Sequence, residues 1–429
     1  MSRLPPPRSC GFPGKLPGPG VTFLFLLCLS FPLRAQAPDA PGNAPRPIVD
    51  VEISGLRRTK PQAARYPLEK FIGQDAGTLD PNEVQAAVKD TGVLECLAVE
   101  VAETAAGPVL RVTVAEKWSF FPVPLILAGS GGTSFGLFLA DTNAFGLRDQ
   151  AVLGGMYGSG GWTALALYNH TPHRRGPPGW NALFMYNRQE RKDQNRDEET
   201  LRRYTADSLH VSAGLQYSLT ELLSAAAALS FTRVTLAEND SPLNAPAGGA
   251  AHLGFSPGLS LRASGWDGYL FSQRSLSLRY TCYLALEGSS YHKAEFRGIF
   301  EQSLIPGFRL NLRSGAVWNS SADSLFESGP QEALVDILPR GFSALHYTGF
   351  SGGFEKYLVK TRQGTLSALF TWQAVFSRGP LGGDEVDHGP SGGIRFYLSR
   401  LAIPALGLNL AYNMNSGRPQ FAFSLGMGF

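Results

Sequence analysis

The sequence predicts an all-β transmembrane barrel of sixteen antiparallel strands, preceded by a small α+β domain. Apolar and polar residues alternate with period two through most of residues 118–429, which is typical of strands with one apolar and one polar face. The connections between these strands alternate between long and short, as in outer-membrane barrels. No apolar run approaches the roughly 18 residues of a membrane-spanning helix. The net charge of 38 − 35 = +3 and the 43% hydrophobic content argue against a nucleic-acid partner and against disorder.

The amino terminus, residues 1–37, has the organisation of a secretory signal peptide. Basic residues precede a short apolar run at residues 21–31, and the small residues Ala35 and Ala37 follow it. Residues 38–47 contain four prolines, which predicts an extended linker. We therefore expect an exported protein.

Residues 48–117 predict the small α+β domain. Pro81 suits the first turn of a helix, and Asp80 with Glu83 three residues later forms a capping box. A three-stranded sheet has unpaired edges, which can capture an extended peptide by strand addition; a plain spacer is the alternative. The predicted order is strand, helix, helix, strand, strand, at residues 48–53, near 67–72, from 81, at 96–103 and at 109–115.

Residues 118–429 predict the barrel. If the small domain lies in the periplasm, connections after odd-numbered strands are extracellular. The long polar insertions at residues 189–208, 235–250, 321–347 and 378–388 all follow odd-numbered strands, as long external loops should. The sixteen strands are predicted to begin near Phe120, Thr133, Arg148, Trp162, Asn181, Leu209, Leu223, Ala251, Gln273, His292, Phe308, Thr348, Gly364, Gly389, Ala405 and Pro419.

Motifs that would indicate chemistry lack the context they need. Residues 349–353 match the G-x-S-x-G pattern of serine hydrolases, but a strand is predicted after them instead of a helix. His170 and His173 have no nearby carboxylate or thiol, and Cys96 and Cys282 are too isolated for a metal site or a disulfide framework. The charged run 188–203 interleaves both signs, which favours a solvated external loop. We expect no enzyme activity, no cofactor and no metal.

An apolar segment centred on an arginine lies inside the longest predicted loop. It consists of Leu338, Pro339, Arg340, Gly341 and Phe342. Since a surface loop is normally polar, this segment predicts a loop that folds back into the barrel interior. A buried arginine needs a carboxylate or several carbonyls, and the glycine permits a tight bend beside it.

The order of these features resembles the BamA/TamA-type outer-membrane assembly and translocation superfamily, also called bacterial surface antigen D15 barrels. That superfamily places POTRA modules, each strand-helix-helix-strand-strand, before a sixteen-stranded barrel whose sixth external loop carries a [VIL]-R-G-[FY] motif. Residues 338–342 fall in the sixth external connection here. Residues 141–146 (DTNAFG) resemble the early T-N-x-F-G turn, and the chain ends on Phe429. The resemblance covers about residues 48–429.

The resemblance implies that Arg340 docks against the twelfth and thirteenth strands, with Glu355 as its preferred partner. This chain departs from the pattern at Pro339, which interrupts the motif, and it contains one POTRA-like module instead of several. In the thirteenth strand, alternation directs Phe370, Trp372 and Phe376 toward lipid, whereas the family alignment directs them toward the lumen. Both orientations remain open from the sequence.

Pro122 and Pro124 lie near the start of the first predicted strand. Residues two apart direct their N–H groups to the same neighbour, so two prolines remove two donors from one edge. If that edge faces the final strand, which ends at Phe429, the barrel has a weak seam that can act as a lateral gate. The alternative is that both prolines precede the strand.

Together these features predict a protein that inserts, assembles or translocates other proteins at the outer membrane, with its amino-terminal domain in the periplasm. The partners implied are the lipid bilayer, unfolded outer-membrane or secreted clients, and accessory periplasmic proteins. A single module favours an accessory or specialised member over the assembly core. A passive pore and a structural surface barrel are the alternatives.

Overall fold

The computed structural model of the chain describes residues 46–425, apart from residues 90, 130–131, 159, 171–177, 221, 241–245, 247, 267–268, 322–328, 330–333, 340, 362–363, 379–382 and 399–403. The predicted signal peptide and most of the predicted linker lie outside this range. Among the described residues, every helix is too short and too polar to cross a bilayer.

The small domain is a three-stranded sheet covered on one face by helices, in the predicted element order. In the sheet β3 is central, β1 runs parallel to it and β2 antiparallel. The first helix begins earlier than predicted and continues as a 3-10 helix. The elements are β1 (Asp50–Ser54), α1 (Pro61–Arg65), the 3-10 helix (Tyr66–Phe71), α2 (Pro81–Lys89), β2 (Leu94–Thr104) and β3 (Gly107–Glu116).

Helix α2 begins where the capping residues predict. The Asp80 carboxylate accepts a hydrogen bond from the backbone N–H of Asn82 at 2.8 Å, which satisfies a donor that the first turn leaves free. The helix buries Val84 and Val88 against Leu110 and its neighbours in the sheet, and these side chains form the core of the domain. The sequence stripe of apolar residues therefore predicts the face that packs.

The remainder of the chain forms a closed antiparallel barrel in which each strand pairs with its neighbours in sequence and the last strand meets the first. Sixteen barrel strands lie in the described residues, as predicted. They are β4 (Phe120–Gly129), β5 (Gly132–Ala144), β6 (Asp149–Gly158), β7 (Gly161–His170), β8 (Gly179–Gln194), β9 (Thr200–Ser218), β10 (Leu223–Asn239), β11 (Ala250–Trp266), β12 (Phe271–Glu287), β13 (Tyr291–Ile305), β14 (Phe308–Asn319), β15 (His346–Lys360), β16 (Gly364–Arg378), β17 (Asp384–Leu398), β18 (Pro404–Asn413) and β19 (Arg418–Leu425).

The barrel has an apolar outer face and a polar inner face, because side chains alternate along each strand. Strand β16 decides between the two orientations left open by the sequence. Phe370, Trp372 and Phe376 are 58%, 46% and 58% exposed on the outside, whereas Thr371 and Gln373 are buried inside. The orientation taken from plain alternation is therefore confirmed, and the orientation taken from the family alignment is wrong for this strand.

The charged run 188–203, predicted as a solvated external loop, forms the end of a β-hairpin whose turn is at residues 195–199. Strand β8 continues to Gln194 and β9 begins at Thr200, nine residues before its predicted start. The two strands pair up to Asp193 opposite Arg202. Polar residues occupy both faces of the β8 half of this extension, and apolar residues are few in the β9 half, so the period-two signal that marks the rest of the barrel is missing here.

Candidate functional site: the lumen, the junction and the seam

The predicted apolar segment, residues 338–342, lies in a longer stretch, residues 334–344, whose described residues other than 340 include side chains packed inside the barrel. Ile337 and Leu338 are buried at 0% and 3% exposure, and Phe342 is buried with them. They contact Val375 of β16 and Ala411 of β18 on the inner wall. We call the barrel interior the lumen and residues 334–344 the lumen segment. Part of the lumen is thus filled by the chain itself.

The lumen segment is held from two sides. On one side the backbone N–H of Asp336 donates to the side-chain oxygen of Gln373 in β16 at 2.7 Å. On the other, the backbone N–H of Gln194 in β8 donates to the carbonyl oxygen of Gly341 at 2.7 Å. Arg202 of β9, fully buried, donates to the Ser343 hydroxyl at 2.9 Å. The segment therefore connects opposite walls of the barrel.

Gly341 is required by this close approach. A Cβ atom at this position would lie 2.5 Å from the Lys192 carbonyl oxygen and 2.7 Å from the side-chain oxygen of Gln194. The loop backbone therefore passes directly against β8, which agrees with the tight geometry predicted for Gly341, although the restriction comes from a neighbouring strand.

Glu355 of β15 lies at the centre of a buried charge cluster on the lumen wall. One oxygen of its carboxylate accepts hydrogen bonds from Arg309 of β14 at 2.7 Å and from Arg395 of β17 at 3.4 Å. Ser367 and Tyr397 donate to the other oxygen at 2.5 and 2.8 Å. We call Glu301, Arg309, Arg313, Glu355, Ser367, Arg395 and Tyr397 the lumen charge cluster.

The rest of the cluster neutralises Arg309, which is 2% exposed. Arg309 also donates to Glu301 of β13 at 3.2 Å and to the Tyr397 hydroxyl at 2.9 Å. Arg313 donates to the second oxygen of Glu301 at 3.0 Å. Buried ions are tolerated only when paired and hydrogen bonded, as they are here. The cluster ties five consecutive strands, β13 to β17, into one stiff part of the wall.

Glu355 was predicted as the partner of Arg340, and Arg340 lies outside the described residues. A carboxylate offers about four acceptor positions, and four other side chains already occupy those of Glu355. The Arg340–Glu355 pair therefore stays a prediction, and it would require one of these donors to move. Sequence reasoning missed Arg309, although Arg309 and Glu355 are direct register partners in the ladder.

The T-N-x-F-G turn joins the small domain to the barrel. Asn143 donates to the Thr59 hydroxyl at 2.9 Å, and the Lys60 backbone N–H donates to the Gly146 carbonyl oxygen at 2.8 Å. Arg58 forms an ion pair with Asp141. The small domain and the barrel belong to one compact unit, residues 46–429. We call this set of contacts the junction.

Glu116, at the end of β3, organises the small-domain side of the junction. Its carboxylate accepts the backbone N–H groups of Arg57, Arg58 and Thr59 at 2.7 to 3.0 Å. Burial favours the neutral acid, but these donors together outweigh burial and lower the pKa of the Glu116 carboxyl below its usual value. The loop that reaches the barrel is thereby fixed by a single charged side chain.

The first and last barrel strands, β4 and β19, meet at the seam. Within the described residues these strands pair at one position, Phe423 opposite Ala128. The opposite edge of β4 pairs with β5 without interruption from Phe120 to Gly129. Pro122 and Pro124 lie inside β4, so the alternative that both precede the strand is wrong. Because a missing donor on the β5 side would interrupt that ladder, the nitrogen atoms of both prolines lie on the other edge of β4, which is the seam edge.

The structure places the remaining sequence motifs as follows. Residues 349–353 lie inside β15, with no helix after them. The expectation that His170 has no carboxylate nearby is wrong, because its Nδ1 contacts the Asp149 carboxylate at 2.8 Å across the β6–β7 pair. Phe429 and His173 lie outside the described residues. The described part of the chain contains no group of three or more side chains suited to holding a metal.

The architecture defines a closed sixteen-stranded barrel with an inward-folded loop and a small α+β domain at one end. Among solved structures, the chain resembles a Haemophilus ducreyi BamA lacking POTRA domains 1–3, with 12% identity over 90% of this chain and 85% of that chain and a TM-score of 0.55. It also resembles CdiB from Acinetobacter baumannii, with 12% identity over 89% of this chain and 74% of that chain and a TM-score of 0.59. It resembles CdiB from Escherichia coli as well, with 11% identity over 94% of this chain and 95% of that chain and a TM-score of 0.58.

These likenesses show the fold. The predicted resemblance to BamA/TamA-type barrels is thus confirmed at the level of architecture. No family model matches the chain, and no curated protein matches its sequence.

Proposed function

We propose that this chain is an outer-membrane protein of the BamA/TamA type that inserts, assembles or translocates other proteins without a chemical step. The observation that carries the proposal is the seam, where β4 and β19 pair at one described position and two prolines lie on the seam edge of β4. A strand edge with free backbone groups is a template for another strand.

The physical driving force is the client's own folding. Unpaired backbone N–H and C=O groups cost several kcal/mol each in lipid, so an incoming strand gains most by pairing at an edge that is already in the membrane. The seam offers such an edge, and closure of the client barrel removes its remaining free groups. No cofactor or energy source is needed for this step.

The small domain supports a periplasmic POTRA-like role. Its element order is strand, helix, helix, strand, strand. The likeness to BamA covers 90% of this chain, a larger share than the barrel strands alone, which supports this proposal. The outer edge of β2, with Leu97 63% exposed, has no ladder partner among the described residues and suits capture of an extended client. The clients are unfolded outer-membrane or secreted proteins, with accessory periplasmic proteins as further partners.

The lumen segment argues against the passive pore. It crosses the barrel from β16 to β8 and buries apolar side chains in the space that a large steady pore requires. A planar-bilayer recording with large, steady, solute-selective conductance would favour the pore. Unchanged levels of other outer-membrane proteins after depletion would favour a structural surface barrel.

The test of the proposal is to lock the seam. In a background without Cys96 and Cys282, Ala128→Cys with Phe423→Cys places two thiols at the observed register pair. Oxidation is expected to stop client assembly, and a reductant is expected to restore it. The matched control is Phe376→Cys with Val386→Cys, a register pair between β16 and β17 that lies on the outer face of an uninterrupted ladder. Full activity in the oxidised seam variant contradicts the proposal.

A further inference from the structure

The β8–β9 hairpin reaches across the mouth of the barrel to the last strand. Its tip residue Glu198 lies 222 positions from Gln420 in sequence, yet the Gln420 amide donates to its carboxylate at 3.0 Å. Arg418 contacts the other carboxylate oxygen at 3.1 Å. Both partners are on β19, which forms one side of the seam.

The contacts fall on the part of β19 that extends beyond β4. Phe423 pairs with Ala128, near the end of β4, and β19 starts five residues earlier at Arg418. In an antiparallel register those earlier residues lie past the end of β4. The hairpin tip therefore holds β19 where β4 is too short to do so.

The same hairpin is also fixed to the lumen segment, by residues directly beside its turn. Gln194 forms a backbone hydrogen bond to Gly341 and an isolated parallel bridge with Phe342. Arg202 joins Asp193 of the opposite hairpin strand, at 2.8 Å, to Ser343 of the lumen segment, at 2.9 Å. Movement of the tip is thus coupled to both the loop inside the barrel and the strand at the seam.

The backbone at the tip is strained in a way that presents the carboxylate. Glu198 adopts φ +63°, a left-handed conformation that is unfavourable for a residue other than glycine. The Asn195 side chain accepts the backbone N–H groups of Asp197 and Glu199 at 3.0 and 2.9 Å and stabilises this turn. Glycine would adopt this backbone conformation more easily than glutamate. We therefore infer that glutamate is present at this position because its carboxylate binds β19.

We propose that the β8–β9 hairpin is a latch that regulates the seam: Glu198, bound to Arg418 and Gln420, holds β19 to the lumen segment, and its release permits β4 and β19 to separate. This inference rests on the proposed function for its biological purpose. The latch itself is a property of the isolated protein, so it can be tested without a client.

Glu198→Gly removes the carboxylate and also relieves the backbone strain, so the hairpin is expected to fold. Glu199→Ala is the matched control, because the Glu199 carboxylate binds Asn195 within the hairpin and touches no part of β19 in the described residues. In planar bilayers, Glu198→Gly is expected to raise the frequency of transient openings roughly fivefold, the equivalent of losing one partly exposed ion pair. Glu199→Ala is expected to match the wild type.

A charge-reversal pair tests whether the ion pair between Glu198 and Arg418 itself holds the seam closed. Glu198→Arg alone is expected to open the seam as Glu198→Gly does, and adding Arg418→Glu is expected to return the opening frequency toward the wild type. A bifunctional thiol cross-link between Glu198→Cys and Gln420→Cys, in the background without Cys96 and Cys282, is expected to suppress openings.

Equal opening frequency in Glu198→Gly and Glu199→Ala, or a normal opening frequency in the cross-linked protein, overturns the latch. Normal latch behaviour with no effect on any client would instead overturn the proposed function.

Discussion

The contribution of a buried polar side chain to the stability of this barrel depends on how completely its polar atoms are hydrogen bonded or ion paired. Glu355 is the strongest case, since it is fully buried and accepts hydrogen bonds from four side chains on three strands. A buried charge paired in this way stabilises the fold only as part of its network.

Glu355→Gln is expected to destabilise the barrel by about 3 kcal/mol, because it leaves Arg309 and Arg395 without their shared counter-charge. The loss should appear as a lower denaturant midpoint for unfolding from lipid vesicles. Glu238→Gln is the matched control, because Glu238 is exposed at the end of β10. If the two variants unfold at the same midpoint, the cluster has no stabilising role.

Because the folded state lowers the pKa of the Glu116 carboxyl, we expect the stability of the small domain to depend on pH. The contribution of this carboxyl to stability is complete above the unfolded pKa and is lost as pH falls through the folded pKa. Amide exchange protection at Arg57, Arg58 and Thr59 is expected to fall on acidification from pH 6 to pH 3. In Glu116→Gln this protection should be low at every pH. Pairing of the Asp75 carboxylate with Arg46 and Gly77 also lowers its pKa, but that pairing does not involve these three amides.

At the scale of elements, the junction fixes the small domain through one turn of the barrel. Gly146 has φ +72°, and a Cβ atom there would lie 2.2 Å from the Arg58 carbonyl oxygen. The turn therefore carries two restrictions, a left-handed backbone and a close approach to the small domain.

Gly146→Ala is expected to loosen the junction, adding a steric cost of about 1–3 kcal/mol to the backbone cost of a positive φ. Gly73→Ala isolates the backbone cost, because Gly73 has φ +89° with nothing within 4 Å of its Cβ position. Spin-label distances between the small domain and the barrel should broaden in the first variant and stay narrow in the second. Equal distributions in both would show that the turn does not position the domain.

The sequence predicted elements well where one face was apolar and poorly where both were polar. Strand β12 alternates throughout, and its predicted start near Gln273 is two residues from the observed one. The β8–β9 extension has polar residues on both faces, so it carried no period and was taken for a loop. The lumen charge cluster was missed for another reason: its ion pairs join residues up to 46 positions apart, and only the strand register brings them together.

In the whole molecule, the side-chain contacts that hold neighbouring strands together are concentrated on one part of the barrel wall. The wall from β13 to β17 is held by buried ion pairs, and the lumen segment packs against it. The seam lies away from this wall and pairs at one described position. A barrel built in this way should separate at β4 and β19 before it opens elsewhere, because that is where the fewest described backbone hydrogen bonds must break.

Restoring the two donors that β4 lacks is expected to strengthen the seam. Pro122→Val with Pro124→Val returns two N–H groups on the seam edge of β4, each worth about 1 kcal/mol if it finds a carbonyl oxygen. Hydrogen exchange should show new protection at residues 122 and 124, and client assembly should slow because more bonds must break before the strands part. Pro257→Val in β11 is the matched control, since Pro257 lies in a ladder with Ala227 away from the seam. Added protection without any change in assembly would mean that clients do not pass between β4 and β19, whereas slower assembly in the double variant alone would assign the route to this edge.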